Sequence, residues 1–474
     1  MRKHSRSRSA SKSKHAKSKH AKSQRAKSQR ANQARQFREH DQSYGFLAAF
    51  RQLLAGQSMP TVPTRRGRKP SVPLEVLLPA LVFHFMNGAG TLAEHFSLLW
   101  GATFANSSWS DRRTRLPWEV FTDLMKQALR PLADGRRHKE AFWRGWRLLG
   151  LDGVQFSLTN TPQNNAARPK AKSRRGRAAF AKITTGVLLE LGLHNPIAAA
   201  IGLQGQSEWQ LACGLLAAVP TGALLLADRL HGCAAFVAQA LRQCLAVRSH
   251  FLIRVRSNIK VKVLRRFKDG SRLVRVPVRQ KGKPRQITEW LELREIRVRV
   301  GRKGFRTELL RLWTSLLDPT SAPAHELAVL YARRWEHELY YRQLKLELRK
   351  TELLQSHTPI TAAQEIAALV LASAMLARER VRAAAGQVPV LRVSFVKALE
   401  LLRPLWLVLE LGADLLSARQ KKLLVERFYE QMRQCLVGKR RTRSCKRGVR
   451  QPVTGWPRLQ ETASIEAPLQ FKFV

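Results

Sequence analysis

The chain has 474 residues, of which 85 are Lys or Arg and 33 are Asp or Glu, so its formal net charge at pH 7 is +52. A surface this basic binds polyanions, which excludes most small-molecule enzymes and makes nucleic acid the expected partner. Residues 1–38 hold 14 of the basic residues and no acid, so the rest of the chain still carries +38. The hydrophobic content of 44% is normal for a globular protein, and the length favours two to four structural units.

The cysteines and the apolar segments indicate a reducing compartment and no membrane anchor. The chain has five cysteines without a C-x-x-C pair, and its first residues contain no apolar signal segment, which favours the cytosol and argues against a zinc site. The uncharged stretch from Trp209 to Ala227 reaches membrane length, but Pro220 and Gly222 interrupt it. We therefore expect a short helix and a short buried strand there, and no membrane-spanning segment.

The first 144 residues divide into a basic arm and a helical region. Residues 11–30 repeat a five-residue unit, and no large apolar residue precedes Phe37, so residues 1–43 are expected to form a disordered arm with non-specific affinity for phosphates. Residues 44–144 have helical patterning, with Pro117 early in the first turn of one helix and basic clusters at 65–70 and 111–115. We interpret this region as a helical DNA-binding unit; a plain helical support layer fits the pattern equally well.

From residue 145 the pattern changes to buried strands that alternate with helices. Its order, β-β-β-α-β-α-β up to residue 255, predicts an α/β fold with a mixed sheet. Residues 256–318 alternate aliphatic with basic residues and contain the hairpin signal Asp269-Gly270, so they predict an antiparallel β-rich insertion with one cationic face. The predicted units are the arm at 1–43, the helical region at 44–144, the first part of the α/β core at 145–255, the insertion at 256–318, the second part of the core at 319–380, C-terminal helices at 381–436 and a basic tail at 437–474.

Four acids lie between Leu151 and Leu230 in the otherwise basic core: Asp152, Glu190, Glu208 and Asp228. Asp152 and Asp228 follow buried-type strands at the ends where α/β sheets place ligand groups. Each alone fits a turn-forming aspartate. Together beside a polyanion they require a cation, and two carboxylates at one sheet edge suit Mg²⁺. We expect Glu190 on a turn, and we interpret Glu208 as structural because an acid in the first turn of a helix complements the helix dipole.

A third carboxylate is expected from a helix that returns to this edge. The segment 330–345 offers Glu336 and Glu338. At about 100° per residue, one polar stripe contains Glu338 and excludes Glu336. The stripe consists of Tyr331, Arg334, Glu338, Arg342 and Lys345. It predicts a metal ligand, Glu338, among groups that bind phosphate; a solvated helix face with a Glu338–Arg342 ion pair is the alternative.

The spacing of this stripe resembles a known signature. Tyr331-x2-Arg334-x3-Glu338-x6-Lys345 is similar to the Y-x2-R-x3-E-x6-K pattern of the insertion-sequence-four type of DDE transposases. The residues around Asp152 and Asp228 resemble the first and second aspartate motifs of that family, although Val154 replaces its usual hydroxyl residue and Leu230-His231 replaces its Gly-aromatic pair. The resemblance extends over most of the chain.

The resemblance implies an RNase-H-like catalytic core that is interrupted by the β-rich insertion. It implies cut-and-paste transposition, in which a homodimer joins double-stranded transposon ends, with their inverted repeats, to target DNA in the bacterial cytoplasm at the nucleoid. Asp152, Asp228 and Glu338 would be the catalytic residues and the ligands of two Mg²⁺ ions, for which Mn²⁺ can substitute. One ion would activate water or the 3′-hydroxyl, and the other would stabilise the leaving oxygen.

The same resemblance implies that Arg334 and Lys345 bind phosphates near the cleaved end, with Tyr331 beside them. The helical stripe adds Arg342 to these DNA-binding residues. Two alternatives remain: a related metal-dependent nuclease or integrase that hydrolyses DNA without strand transfer, and a catalytically inactive DNA-binding derivative.

Overall fold

The computed structural model describes residues 44–62, 72–87, 90–100, 103, 105–173, 176–280, 282–301, 307–438, 448–449, 458–459 and 470–473. The predicted arm at 1–43, the basic cluster at 65–70 and most of the predicted tail at 437–474 lie outside these residues. Within the described part, the fold is α/β, with one large mixed sheet and helices at both ends of the chain.

The N-terminal region is helical. Its helices are α1 (Phe46–Leu53), α2 (Leu74–Met86), α3 (Leu92–Trp100), α4 (Asn106–Thr114) and α5 (Glu119–Ala128). The predicted helix α5 is present and buries Val120, Phe121 and Leu124 at helical spacing, but it begins at Glu119, so Pro117 precedes its first turn rather than lying in it. Residues of this region belong to one hydrophobic core with the rest of the protein, which is the arrangement of a supporting layer. Its contact with DNA stays a prediction.

Five strands form the core of the sheet. They are β1 (Trp146–Ser157), β2 (Lys182–Glu190), β3 (Asn195–Ile201), β4 (Ala223–Ala227) and β5 (His250–Arg254). Their order is β3-β2-β1-β4-β5, with β1, β2 and β3 antiparallel and β4 and β5 parallel to β1. Three antiparallel strands followed by two parallel ones are the RNase-H-like arrangement, so the predicted fold class is confirmed. Glu190, expected on a turn, is instead the fully buried last residue of β2.

Both faces of this core are covered, which explains why its central strand β4 is apolar and buried at every position. In β4, Leu224 and Leu226 belong to the core shared with the N-terminal helices, whereas Leu225 and Ala227 belong to a second core on the opposite face. The helices between the core strands are α6 (Pro162–Ala167), α7 (Glu208–Leu215) and α8 (Ala234–Ala246). Helix α7 and strand β4 are the short helix and short strand predicted for the uncharged stretch.

The insertion consists of β6 (Lys262–Arg266), β7 (Arg272–Gln280), β8 (Lys283–Gly301) and β9 (Glu308–Thr314). Neighbouring strands are antiparallel, as predicted. Strand β9 pairs with β5, with Leu312 opposite Arg254, so the insertion extends the core sheet rather than forming a separate one. A further strand, β10 (Gln470–Phe473), pairs with β8. Two-residue strands occur at Phe142–Trp143, Lys172–Ser173, Gly176–Arg177, Gly448–Val449 and Arg458–Leu459.

The C-terminal helices begin with α9 (Ala324–Tyr331), a 3₁₀ turn (Ala332–Arg334), α10 (Trp335–Arg342) and a π-helical segment (Gln343–Arg349). They continue with α11 (Pro359–Ala384), α12 (Phe395–Leu411) and α13 (Ala418–Gln434). Helix α11 crosses the predicted boundary at residue 380. By length and composition it could also cross a membrane, but 94% of its most apolar window is buried inside the protein, as in a central core helix.

Candidate active site

Two acidic residues lie at the point where neighbouring parallel strands separate. The pairing of β1 with β4 ends at Leu151 and Ala227, which lie opposite each other. Asp152 directly follows Leu151 in the sequence, and Asp228 directly follows Ala227. Because neighbouring strands are about 4.8 Å apart, the two aspartates lie side by side at one edge of the sheet.

Asp152 is a nearly buried carboxyl group, with 8% of the residue exposed. Its Oδ1 accepts a hydrogen bond from the amide of Gly153 at 2.9 Å. Burial, and after it the negative charge of Asp228, raises the pKa of Asp152 to about 7. This carboxyl group is therefore only partly ionised near neutral pH, although the charge of Arg334 acts to lower its pKa.

The pKa of Asp228 is shifted in the opposite direction, downward. Its Oδ1 accepts hydrogen bonds from the amide of Leu230 at 2.8 Å and from Nδ1 of the buried His231 at 3.0 Å. Burial alone would raise the pKa of Asp228, but the hydrogen bond and charge of His231 and the amide of Leu230 outweigh it, so this pKa lies below its usual value. Asp228 thus stays ionised beside a carboxyl group that resists ionisation.

Glu338 reaches the same edge from helix α10, with 48% of its side chain exposed. Arg334 connects it to the strands: its Nη1 lies 3.6 Å from Oε1 of Glu338 and 3.3 Å from Oδ2 of Asp152. The charge of Arg334 also acts on Asp228, whose pKa it lowers. One guanidinium group therefore lies among all three predicted catalytic carboxylates.

The other predicted site residues have different surroundings. Tyr331 is only 6% exposed, and its hydroxyl donates to the carbonyl of Ala227 at 3.3 Å. Arg342 is exposed. The Nζ of the partly buried Lys345 lies 5.6 Å from the ring centroid of Phe156, and burial lowers the pKa of this lysine. DNA contacts by these three residues stay predictions.

The polar stripe is not a regular helical one. The helical wheel assumes a constant rotation per residue, whereas a 3₁₀ turn precedes α10 and a π-helical segment follows it. The rotation between Tyr331 and Lys345 consequently differs from the calculated value, and the stripe contains one buried residue, Tyr331, and two exposed residues, Glu338 and Arg342. Glu336 lies away from the cluster, where it accepts hydrogen bonds from Arg333 and from the amide of Gly192 at 2.6 Å.

Glu208 is a fourth acid that adjoins the cluster. Its interpretation from the sequence as a structural residue was therefore incomplete. Glu208 does lie in the first turn of α7, after the capping Ser207. Its side chain also packs over Gly153: a Cβ atom at that glycine would lie 2.3 Å from Cδ of Glu208. Burial raises the pKa of Glu208, and the charge of Asp228 raises it further. The Asp-Gly pair was the available signal, because only glycine permits this approach.

A second residue that the sequence did not identify is Tyr341. It is 6% exposed, and its hydroxyl donates to the backbone carbonyl of Asp152 at 2.7 Å. It lies three residues after Glu338 on the same helix. No periodicity in the sequence distinguishes it from its neighbour Tyr340, which lies in the core.

The donor set suits a hard divalent cation, because Asp152, Asp228 and Glu338 offer only carboxylate oxygens. The negative charge of Asp228, which contributes to the raised pKa of Asp152, would also favour a cation there. In the part of the chain that the structure describes, no three His, Cys, Asp or Glu side chains converge closely enough to hold an ion as they stand. Arg334 occupies the position between Asp152 and Glu338, so a bound cation requires this side chain to move.

An arginine-rich cavity of about 490 Å³ adjoins this edge on the insertion side. It is lined by Arg229, Arg254, Arg272, Arg297 and Arg311, together with Glu295 and aliphatic residues. Arg229 directly follows Asp228, which connects the cavity to the acidic cluster. Arg272 and Arg311 bind Glu295, whereas the buried Nε of Arg297 has no hydrogen-bond partner among the described residues. Arg254 is paired with Glu308, so Arg229 and Arg297 are the lining arginines without an ion pair among the described residues.

Part of the chain is similar in sequence to known proteins. Residues 147–375 match the family model of the transposase DDE domain. The transposase InsG for insertion sequence element IS4 of Escherichia coli (strain K12) is 30% identical over 238 residues, or 48% of this chain and 51% of that protein. The chain thus matches about half the length of this curated relative. A cryo-EM structure of the piggyBac transposase synaptic complex with hairpin DNA has a TM-score of 0.42 at 11% identity, over 82% of this chain and 85% of that one.

The matched family segment contains all seven predicted site residues, from Asp152 to Lys345. Residues 147–375 are thus similar to the class of domain that the sequence motifs predicted.

Proposed function

We propose that this chain is a DNA transposase of the insertion-sequence-four type, which cleaves DNA at transposon ends and joins them to target DNA. The observation that supports this most directly is the position of Asp152 and Asp228, side by side where β1 and β4 separate, with Glu338 linked to them through Arg334. The match of this segment to a transposase DDE domain and the basic charge of the chain support the same reading.

Asp152, Asp228 and Glu338 would hold the divalent cations, Mg²⁺ with Mn²⁺ as a substitute. When bound there, such cations supply charge stabilisation to the attacking and leaving oxygens of the phosphodiester. His231 has a separate task, because its hydrogen bond keeps Asp228 ionised and fixes one carboxylate oxygen. Tyr331 holds the end of β4 through the carbonyl of Ala227.

Arg334 would couple DNA binding to the availability of the carboxylates for cations. Without DNA, it partly neutralises Asp152 and Glu338. A DNA phosphate is an equally good partner for a guanidinium group. We propose that the arriving phosphate draws Arg334 away from the carboxylates, which then bind the cations more tightly than they do without the substrate.

The basic surfaces would bind the rest of the substrate. The arginines of the cavity, together with Lys345 and Arg342, offer phosphate contacts on both sides of the acidic cluster. Two such chains would form the homodimer that holds two inverted-repeat ends together with the target duplex. An insertion-element transposase acts on the chromosome, so the protein would work in the bacterial cytoplasm at the nucleoid.

The test uses purified full-length protein, DNA that carries the inverted repeats flanking its gene, a supercoiled target plasmid and Mg²⁺. Joined end–plasmid products are the expected result, and they should disappear in Asp228→Ala but not in Asp123→Ala, a matched aspartate with an exposed side chain on α5. Nicked ends without joined products would indicate a nuclease instead. Binding of the ends without any cleavage would indicate an inactive DNA-binding derivative.

A further inference from the structure

Strands β1 and β4 separate beside the acidic cluster, and the backbone of each segment accepts a hydrogen bond from a tyrosine hydroxyl. Beyond the last paired residues, Leu151 and Ala227, strands β1 and β4 no longer bond to each other. Tyr331, at the end of α9, donates to the carbonyl of Ala227 at 3.3 Å, and Tyr341, in α10, donates to the carbonyl of Asp152 at 2.7 Å. The middle of β1 and the end of β4 are therefore both tied to the helical segment that carries Glu338.

The surroundings of Tyr341 keep its hydroxyl a permanent donor. Burial raises the pKa of Tyr341 well above its usual value, and the charges of Asp152, Glu208 and Glu338 act in the same direction. The phenol thus stays protonated. It also lies on the same side of α10 as Glu338, because residues three apart in a helix are neighbours on its surface.

We propose that Tyr341 is a positioning residue: its hydrogen bond to the Asp152 backbone sets the spacing between Asp152 and Glu338, and thereby the affinity of the site for divalent cations. This inference rests on the proposed function, in which the two carboxylates share a metal site. Tyr341 itself would touch neither the cation nor the DNA. Its effect would pass through the backbone of Asp152 on one side and one turn of helix α10 on the other.

The adjacent residue provides a matched control. Tyr340 is 1% exposed, and its hydroxyl is 3.0 Å from Oγ of Ser373 in the core helix α11. Tyr340→Phe and Tyr341→Phe each remove one tyrosine hydroxyl, and with it one hydrogen bond, from neighbouring buried positions. Only Tyr341→Phe removes a link to an acidic residue of the cluster.

The experiment measures Mn²⁺ binding to the full-length protein by isothermal titration calorimetry without DNA, with thermal unfolding as a check of folding. We expect Tyr341→Phe to weaken Mn²⁺ binding by about 10–100-fold, the usual effect of losing a group that orients a metal ligand. Tyr340→Phe is expected to bind Mn²⁺ as the unmodified protein does, with a similar loss of melting temperature. Tyr341→4-aminophenylalanine retains a donor at this position and should restore the affinity, which also covers the case that Tyr341→Phe does not fold.

Equal Mn²⁺ affinity of Tyr341→Phe and the unmodified protein would overturn the proposal, as would an equal loss in both tyrosine variants or the absence of Mn²⁺ binding to the unmodified protein. The measurement is independent of transposition. A protein that binds Mn²⁺ but does not join transposon ends would refute the proposed function, and the comparison of the two tyrosines would still decide the role of Tyr341.

Discussion

Arg334 and Asp152 form an ion pair at the centre of the acidic cluster, with 3.3 Å between Nη1 and Oδ2. The pair is only partly exposed, since 17% of the Arg334 side chain and 10% of the Asp152 side chain are accessible. Arg334 stands where the fold would otherwise concentrate uncompensated negative charge. In the proposed function it would thus be an internal substitute for the cation and a competitor of it.

Arg334→Gln should therefore change two affinities in opposite directions. Mn²⁺ binding without DNA should become tighter by about threefold to tenfold, because a competing unit charge is removed from a site of intermediate polarity. The affinity for transposon-end DNA should fall, because a phosphate partner is lost. Calorimetry and fluorescence anisotropy measure the two effects. Arg333→Gln is the control, since Arg333 binds Glu336 and the carbonyl of Glu140 instead; weaker Mn²⁺ binding in Arg334→Gln would contradict this role.

A buried carboxyl group far from the cluster predicts a pH dependence of stability. Oε1 of Glu410 accepts a hydrogen bond from the amide of Leu47 at 3.0 Å, at the start of α1, and burial raises the pKa of Glu410 from 4.5 to about 7. The folded protein holds this proton more tightly than the unfolded chain does. The stability that Glu410 contributes is thus fully present below pH 4.5 and is lost as the pH rises through about 7.

The variant Glu410→Gln keeps an acceptor but does not titrate. The free energy of unfolding of the unmodified protein, relative to this variant, should fall by on the order of 1–3 kcal/mol between about pH 5 and pH 8. Urea unfolding at several pH values measures it. Glu400→Gln, an exposed position on the same helix, controls for the loss of one negative charge. A difference that does not change with pH would show that Glu410 is not the titrating group.

The arginine cavity predicts a specific change in salt dependence. If Arg297 binds a DNA phosphate, Arg297→Gln should weaken end binding and lower the slope of log affinity against log salt by about one. Arg242→Gln is the control, because Arg242 lies on α8 and is already paired with Glu289. Anisotropy titrations over a range of salt concentrations measure both. An unchanged slope in Arg297→Gln would mean that no phosphate enters the cavity.

The sequence predicted the features that depend on local pattern. Asp152 and Asp228 were found because each ends an apolar run, and apolar runs with acids at their ends mark parallel strands in a covered sheet. The sequence also predicted the antiparallel insertion, whose turn at Gly270 has φ of +81°. It did not predict that the insertion continues the core sheet, because the pairing of β9 with β5 joins residues about sixty positions apart.

The parts of the site that were missed depend on packing between distant elements. Glu208 approaches Asp152 only because α7 crosses the strand at Gly153, and Tyr341 reaches the carbonyl of Asp152 only because α10 packs against the middle of β1. The helical wheel assigned Tyr331 to a polar face because it assumed a regular helix, whereas a 3₁₀ turn separates Tyr331 from Glu338. Departures of this kind are set by tertiary contacts and leave no periodic trace in the sequence.

The central claim, that Glu338 completes the catalytic centre, is tested most directly by comparing two glutamates on one helix. The measurement is the single-turnover rate of cleavage at a transposon end in Mg²⁺, for Glu338→Gln and for Glu336→Gln. We predict that Glu338→Gln slows cleavage by at least about 10³-fold, as expected for the loss of several kcal/mol of charge stabilisation. Glu336→Gln, whose side chain is bonded to Arg333 and Gly192, should stay within about tenfold of the unmodified rate. Cleavage by Glu338→Gln at the unmodified rate would contradict the account.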